Sequence, residues 1–100
     1  MCGSTVGGLS TEGIDLTKET VIQGVVTRDG EPVGGAYVRL LDTGGDFVAE
    51  VQASATGGFR FFAAPGRWSL RALAAGGAIG QTIVTAGPGL NEADVTVGPA

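Results

Sequence analysis

The sequence predicts an all-β protein, a single seven-strand antiparallel β-sandwich preceded by a flexible N-terminal tail. Short β-branched and aromatic runs alternate with turns at roughly 8–12-residue spacing, which is typical of sandwiches and barrels. The 19 glycines fall between these runs without a collagen-like period. No apolar pattern of helical period is sustained along the chain, so a helical fold is not expected.

The first segment, residues 1–17, is rich in Gly, Ser and Thr and has few large apolar side chains. Such a segment buries too little surface to offset its ordering entropy, so we expect a flexible tail before a domain of residues 18–100. Ile14 and Leu16 are two positions apart and are the one expected strand-like contact in this tail.

The seven predicted strands follow in order, each ended by turn-forming residues. Asp29-Gly30 closes the first strand, and Pro65-Gly66 sets the reversal before the fifth. A double glycine, Gly76-Gly77, precedes the sixth. The predicted strands are residues 20–27, 36–42, 47–53, 59–63, 68–74, 79–85 and about 93–97.

Alternation along these strands separates an inner face from an outer one. Placing Arg39, Arg60 and Arg71 outward directs six apolar side chains into the core, where each contributes about 1.5–3 kcal/mol on burial. These six are Val38, Leu40, Phe59, Phe61, Trp68 and Leu70. The same assignment exposes Tyr37, Leu41, Phe62 and Leu73. If adjacent, they form a candidate protein interface with the aromatic and Arg composition of hot spots. The alternative, equally open from the sequence, is that loops or the tail cover them.

Charge and composition exclude several classes of partner and site. A net charge of −4 argues against nucleic acid and anionic membranes, which need a basic surface. With no His and one Cys, we expect neither a Cys/His metal site nor an intrachain disulfide, and no cofactor. No apolar stretch approaches the roughly 18 residues of a spanning helix. The N-terminus lacks a secretory signal pattern, so the expected location is the cytoplasm.

Several sequence blocks resemble the carboxypeptidase regulatory-like domain, a transthyretin-like or collagen-adhesin-B-like seven-strand sandwich. They are Ile22-x-Gly24-x-Val26, Asp29-Gly30-x-Pro32-Val33-x-Gly35-Ala36-x-Val38-x-Leu40, Ala55-Thr56-Gly57-Gly58-Phe59-Arg60-Phe61 and Ala64-Pro65-Gly66-Arg67-Trp68-Ser69-Leu70. The resemblance implies this fold. It does not imply one function, because the same sandwich serves many roles.

Nearly the whole chain also resembles a small actinobacterial family of uncharacterised proteins encoded beside rhodanese-type thiosulfate sulfurtransferases. The matching blocks are Met1-Cys2, Lys18-Glu19-Thr20-Val21-Ile22, Ala36-x-Val38-Arg39-Leu40-Leu41-Asp42 and Phe59-Arg60-Phe61-Phe62-Ala63-Ala64-Pro65-Gly66. This resemblance implies a non-enzymatic accessory protein of sulfur metabolism whose partner is such a sulfurtransferase.

Cys2 is the candidate sulfur acceptor. Removal of Met1 would leave Cys2 at the start of a mobile arm, where its thiolate could accept a sulfane sulfur. The alternative is an inert thiol. The rival function is a structural or interaction module with no chemistry, which binds a protein or associates with itself as a homodimer through the apolar face.

Three other kinds of chemistry, namely isopeptide bond formation, hydrolysis and Ca²⁺ binding, are not expected from these residues. In collagen-adhesin-B-like domains that form an isopeptide bond, the lysine position falls at Ile22 here and the glutamate position near Ala72. Hydrolysis of purine-derived rings by related folds relies on histidines, which this chain lacks. Asp42, Asp46 and Glu50 are scattered carboxylates that we interpret as a solvated rim instead of a Ca²⁺ site.

Overall fold

A computed structural model describes residues 13–98 of the chain. Within that range the protein is all β, with nine strands, one 3-10 turn at Ala75–Gly77 and no α-helix. The strands are β1 (Thr20–Arg28), β2 (Glu31–Pro32), β3 (Tyr37–Leu41), β4 (Phe47–Gln52), β5 (Gly58–Phe62), β6 (Gly66–Leu73), β7 (Ile79–Ala86), β8 (Gly89–Glu92) and β9 (Val95–Thr96). No helix in this part of the chain is long and apolar enough to cross a membrane.

The five-stranded sheet is organised around β1. On one side β1 pairs antiparallel with β5 and, at its end, with the short strand β2. On the other side it pairs in parallel with β8 and then β9. Because β1 has neighbours on both sides, it lies in the interior of the sheet, and Thr20 to Gly24 are all buried.

The four-stranded sheet has the order β4-β3-β6-β7 and is antiparallel throughout. Its inner side chains pack against those of the five-stranded sheet, and one contiguous core fills the space between them. The largest fully buried members of that core are Phe59, Ile22, Leu40, Leu70, Val26, Val38, Val95 and Val97. The expected β-sandwich is therefore confirmed, but it has nine strands where seven were predicted, and β8 and β9 pair with β1 in parallel, not antiparallel.

The predicted core is confirmed at Val38, Leu40, Phe59, Phe61 and Leu70, which are all at most 4% exposed. The sixth side chain, that of Trp68, is only partly buried. It packs against the edge of the core, and its indole Nε1 donates a 2.9 Å hydrogen bond to the carbonyl oxygen of Ala64. A partly buried Trp retains a polar partner for its N–H in this way.

The C-terminal part of the chain is attached to β1 by side chains as well as by backbone pairing. The Asn91 amide donates to the carbonyl oxygens of Val21 (3.0 Å), Gly87 (2.8 Å) and Gly89 (3.2 Å). Further along, the Val25 N–H donates to the carboxylate of Asp94 at 2.9 Å. Asn91 is thus committed to backbone oxygens and supports the parallel pairing of β8 with β1.

A turn leads into β1. The Asp15 carboxylate accepts hydrogen bonds from the backbone N–H and the hydroxyl of Thr17, at 3.0 and 2.5 Å. The N–H groups of Lys18 and Glu19 donate to the Asp15 carbonyl oxygen. Ile14 and Leu16 are half-buried beside this turn. The expected flexible tail otherwise lies outside the described residues.

Candidate functional site

The outer face of the four-stranded sheet carries a row of exposed apolar side chains. The strand registers place Tyr37 of β3 opposite Leu73 of β6, and Leu73 opposite Ile79 of β7. These side chains are 48%, 49% and 56% exposed, respectively. Exposed apolar residues of a soluble protein are usually scattered singly. Large apolar groups that adjoin one another in solvent are therefore typical of binding surfaces.

A polar row runs beside the apolar one, two residues away from it along β3, β6 and β7, and continues onto β4. It consists of Glu50, Arg39, Arg71 and Gln81. Arg39 Nε lies 2.8 Å from Glu50 Oε2, and the Arg39 guanidinium carbon is 5.8 Å from the centre of the Phe47 ring. Since Arg39 is exposed, its ion pair adds little stability, but it fixes the orientation of both charges.

Arg71 is less constrained than Arg39. Its Nη2 makes a long 3.4 Å hydrogen bond to Gln81 Oε1. A guanidinium has five N–H donors in a planar fork that matches a carboxylate. Arg71 is exposed, so its remaining donors can reach groups of another molecule.

The two rows line a shallow groove of about 240 Å³. Its lining is Tyr37, Arg39, Glu50, Arg71, Leu73 and Ile79. This set combines an aromatic ring, aliphatic side chains and paired charges, but it contains no Ser, Thr or Cys nucleophile next to a base. Within residues 13–98, no group of three or more His, Cys, Asp or Glu side chains is placed to hold a metal ion. The groove therefore presents an aromatic ring, aliphatic side chains and paired charges to solvent.

The structure brings together two of the four predicted interface residues, Tyr37 and Leu73. The expectation that Leu41 is exposed is wrong, since its side chain is only 6% exposed. A register shift in the pairing of β3 with β4 follows Leu40 and sets Leu41 opposite Phe47, with Ser69 on its other side. The strict alternation used to place Leu41 did not anticipate that irregularity.

Phe62 is exposed as predicted, at 57%, but it lies on the other sheet. It pairs with Val21 of β1, which in turn pairs with Leu90 of β8. In the next row Arg60 Nε donates to Gln23 Oε1 at 2.9 Å. Alternation identifies which side of a strand faces out but not which sheet the strand joins, and this is why the sequence could not separate Phe62 from Tyr37.

Four exposed apolar residues of the four-stranded sheet were not predicted from the sequence. Phe47, Val48, Ile79 and Ile83 are 60%, 48%, 56% and 56% exposed. The available signal was alternation along the predicted strand at 79–85, whose odd-numbered residues share one face. Without an Arg in that strand to mark the outer side, its two faces could not be assigned.

Cys2, the predicted sulfur acceptor, lies outside the described residues. Its role as a sulfur acceptor stays a prediction.

Comparison with known proteins places the chain among mycobacterial relatives. It is 62% identical over 79 residues to the uncharacterized proteins Rv0814c and Rv3118 of Mycobacterium tuberculosis, an overlap that covers 77% of this chain and 79% of each relative. An uncharacterized protein of Mycolicibacterium smegmatis is 65% identical over 66 residues, or 65% of this chain and 73% of that relative. A family model described as protein of unknown function (DUF1416) matches residues 2–97. The chain therefore belongs to the DUF1416 family.

Proposed function

We propose that this protein is a non-enzymatic accessory protein that binds a protein partner through the outer face of its four-stranded sheet. The observation that carries the proposal is the row Tyr37–Leu73–Ile79, in which three adjacent apolar side chains are about half exposed. Covering such a row with a partner removes apolar surface from water, which favours association by roughly 25 cal/mol per Å².

The polar row supplies orientation to that interaction. Tyr and Arg are the residue types most enriched at interface hot spots, and both border the groove. The ion pair with Glu50 holds Arg39 in place before binding, which lowers the entropy lost on association. The spare donors of Arg71 fit a carboxylate of the partner.

The partner we propose is a rhodanese-type thiosulfate sulfurtransferase. Support comes from the sequence resemblance to a family encoded beside such enzymes, and on that basis we propose a role in sulfur metabolism in the cytoplasm. The net charge of −4 disfavours nucleic acid and anionic membranes as alternatives.

The proposed chemical step is transfer of a sulfane sulfur to Cys2. The Cys2 thiolate attacks the terminal sulfur of a persulfide on the sulfurtransferase. A new S–S bond forms at Cys2 while the S–S bond of the donor breaks, and the donor cysteine leaves as a thiolate. The transferred sulfur remains at the sulfane oxidation level, so no further oxidant or reductant takes part.

Binding is tested by titration calorimetry of the full chain with a rhodanese of the same organism. We expect Tyr37→Glu to weaken binding by at least about tenfold. The change removes a candidate hot-spot ring, and its negative charge repels the partner carboxylates that would bind Arg71. Phe62→Glu is the matched control, since Phe62 is an equally exposed aromatic residue on the other sheet. Equal losses for the two variants, or no binding by the unmodified chain, would refute the proposed docking face.

The sulfur-transfer step is tested by intact-protein mass spectrometry without reductant, before and after incubation with thiosulfate and the rhodanese. We expect the gain of one sulfur atom, absent in Cys2→Ser. If binding persists but no sulfur is gained, the second candidate is correct: an interaction module without chemistry, consistent with the recognition chemistry of the groove. Cys2→Ser then leaves its function intact.

A further inference from the structure

Strand β7 has one open edge. It pairs with β6 from Ile79 to Ala86. On its other edge, β7 makes one backbone hydrogen bond within residues 13–98. The Gly98 N–H donates to the Ile79 carbonyl oxygen at 2.9 Å. Since the Ile79 carbonyl points away from β6, alternation along an antiparallel strand directs the backbone groups of Gln81, Ile83 and Thr85 the same way. Their N–H and C=O groups line the open edge.

This edge lacks the features that keep sheet edges from pairing. Natural sheets protect exposed edges with charged side chains, proline or bulges. The strand, IGQTIVTA, contains no charge and no proline, and its pairing with β6 has no register shift. The opposite edge strand, β4, carries Glu50 and the register shift beside Leu41. Of the two edges of this sheet, β7 is the one suited to strand addition.

We propose that β7 pairs antiparallel with β7 of a second copy of this chain, about a two-fold axis through Ile83. In that register the N–H and C=O groups of one open edge lie opposite the C=O and N–H groups of the other. Ile83 lies opposite Ile83 of the second copy, and Gln81 lies opposite Thr85 of the second copy. Each of these pairs exchanges two N–H···O=C bonds. No like charges meet, and the exposed Ile83 side chain gains an apolar neighbour across the axis.

The position of the axis follows from where the edge is free. Gly98 occupies the Ile79 end, and at the other end the Asn91 side chain is hydrogen-bonded to both the N–H and the C=O of Gly87. The free stretch is centred on Ile83, and an axis at that residue pairs all three outward-facing residues at once. A foreign extended peptide would use the same backbone groups, but only a second copy is guaranteed this matched register.

The pairing joins two four-stranded sheets into one continuous sheet. An axis perpendicular to that sheet leaves both outer faces on the same side. The two copies of the groove bordered by Tyr37 and Arg39 then lie on one surface, so a dimer offers two adjacent docking faces. The pairing itself does not depend on the proposed partner, and it is measured without one.

The first test is the mass of the full chain in solution by sedimentation equilibrium, in the Cys2→Ser background so that no disulfide contributes. We expect a reversible dimer of twice the 9.9 kDa monomer mass. In Ile83→Lys two lysines would face each other across the axis, and the dissociation constant should rise by at least about tenfold. Phe47→Lys is the matched control on the other edge strand, 60% exposed against 56% for Ile83, and should leave the dimer unchanged.

The second test fixes the register. Ile83→Cys in the Cys2→Ser background should form an intermolecular disulfide on mild oxidation, because hydrogen-bonded antiparallel partners have Cα atoms about 5.5 Å apart. Gln81→Cys should not, since its partner in this register is Thr85. A chain that stays monomeric at millimolar concentration, a dimer unaffected by Ile83→Lys, or equal cross-linking of the two cysteine variants would each overturn the proposal. None of these outcomes alters the calorimetric test of partner binding.

Discussion

Strands β1 and β7 have similar lengths and similar β-branched sequences, but they occupy opposite situations in the fold. β1 pairs with four other strands, and its burial runs almost unbroken from Thr20 to Val26. β7 pairs along its length with β6 alone, and exposed residues alternate with partly buried ones. The difference shows that placement in the sheet, more than composition, decides whether such a strand contributes stability or a surface for binding.

The two strands also differ in how much of their length lies against the backbone of the C-terminal segment. A Cβ atom at Gly24 of β1 would lie 2.3 Å from the Ala93 carbonyl oxygen, and one at Gly80 of β7 would lie 2.0 Å from that of Thr96. Both glycines therefore allow the C-terminal segment to pass close by. In β7, however, this tight contact involves one end only, and the outward edge beyond it stays free.

The largest expected effect comes from truncating the same residue type in the two strands. Ile22 of β1 is 0% exposed and belongs to the core, whereas Ile79 of β7 is 56% exposed. We expect Ile22→Ala to lower the free energy of unfolding by about 2–5 kcal/mol, because it leaves a cavity. Ile79→Ala should change it by no more than about 0.5 kcal/mol. Urea denaturation followed by Trp68 fluorescence measures both.

Comparable losses in these two variants would mean that β7 contributes to stability as β1 does, and the contrast between the strands would fail. An unchanged m-value in both variants serves as the control that neither alters the extent of unfolding.

A smaller effect is expected from adding one methyl group beside β1. Gly24→Ala forces a Cβ against the Ala93 backbone, which cannot rotate away, so the free energy of unfolding should fall by about 1–3 kcal/mol. Gly87→Ala, between β7 and β8, is the matched control because no atom lies within 4 Å of its added Cβ. That variant should be neutral or more stable by at most about 1 kcal/mol. Thermal unfolding of both variants tests the difference, and a neutral Gly24→Ala would show that β8 and β9 are free to move away from β1.

The smallest expected effect lies in the turn before β1. The hydrogen bond from the Thr17 hydroxyl, with a second from the Thr17 backbone N–H, holds the pKa of Asp15 below its ordinary value of 3.8. A lowered pKa in the folded state means that this stabilisation is present above the unfolded pKa and is lost as the pH falls through the folded one.

Titration of the Asp15 carboxyl by NMR checks this assignment. Thr17→Ala should raise the Asp15 pKa toward its ordinary value, while Thr17→Ser, which keeps a hydroxyl, should leave it low. If both variants titrate like the unmodified chain, the hydroxyl is not the cause of the shift.

The sequence was sufficient for those features that depend on local pattern. The alternation of Val38 and Leu40 with Arg39, and of Phe59 and Phe61 with Arg60, correctly indicated the core, because one face of each strand is apolar. The exposure of Tyr37 and Leu73 followed from the same rule, but their place on one sheet and their direct pairing did not.

The features that the sequence did not indicate depend on long-range placement. Nothing in the run Gly89–Glu92 signals parallel pairing with a strand nearly seventy residues earlier, and the pattern indicated one terminal strand where the structure has β8 and β9. Phe62 was grouped with Tyr37 because sheet membership is set by topology. Leu41 was misplaced because a register shift is a property of two strands together.

The parallel pairing of β1 with β8 and β9 also has a consequence for synthesis of the chain. The hydrogen bond from Val25 to Asp94 joins residues 69 positions apart. At roughly 5–20 residues per second, β1 leaves the ribosome about 3–14 s before the strands that complete it. During that interval one side of the most buried strand has no native partner, and an unpaired strand edge of this kind makes the nascent chain prone to aggregation.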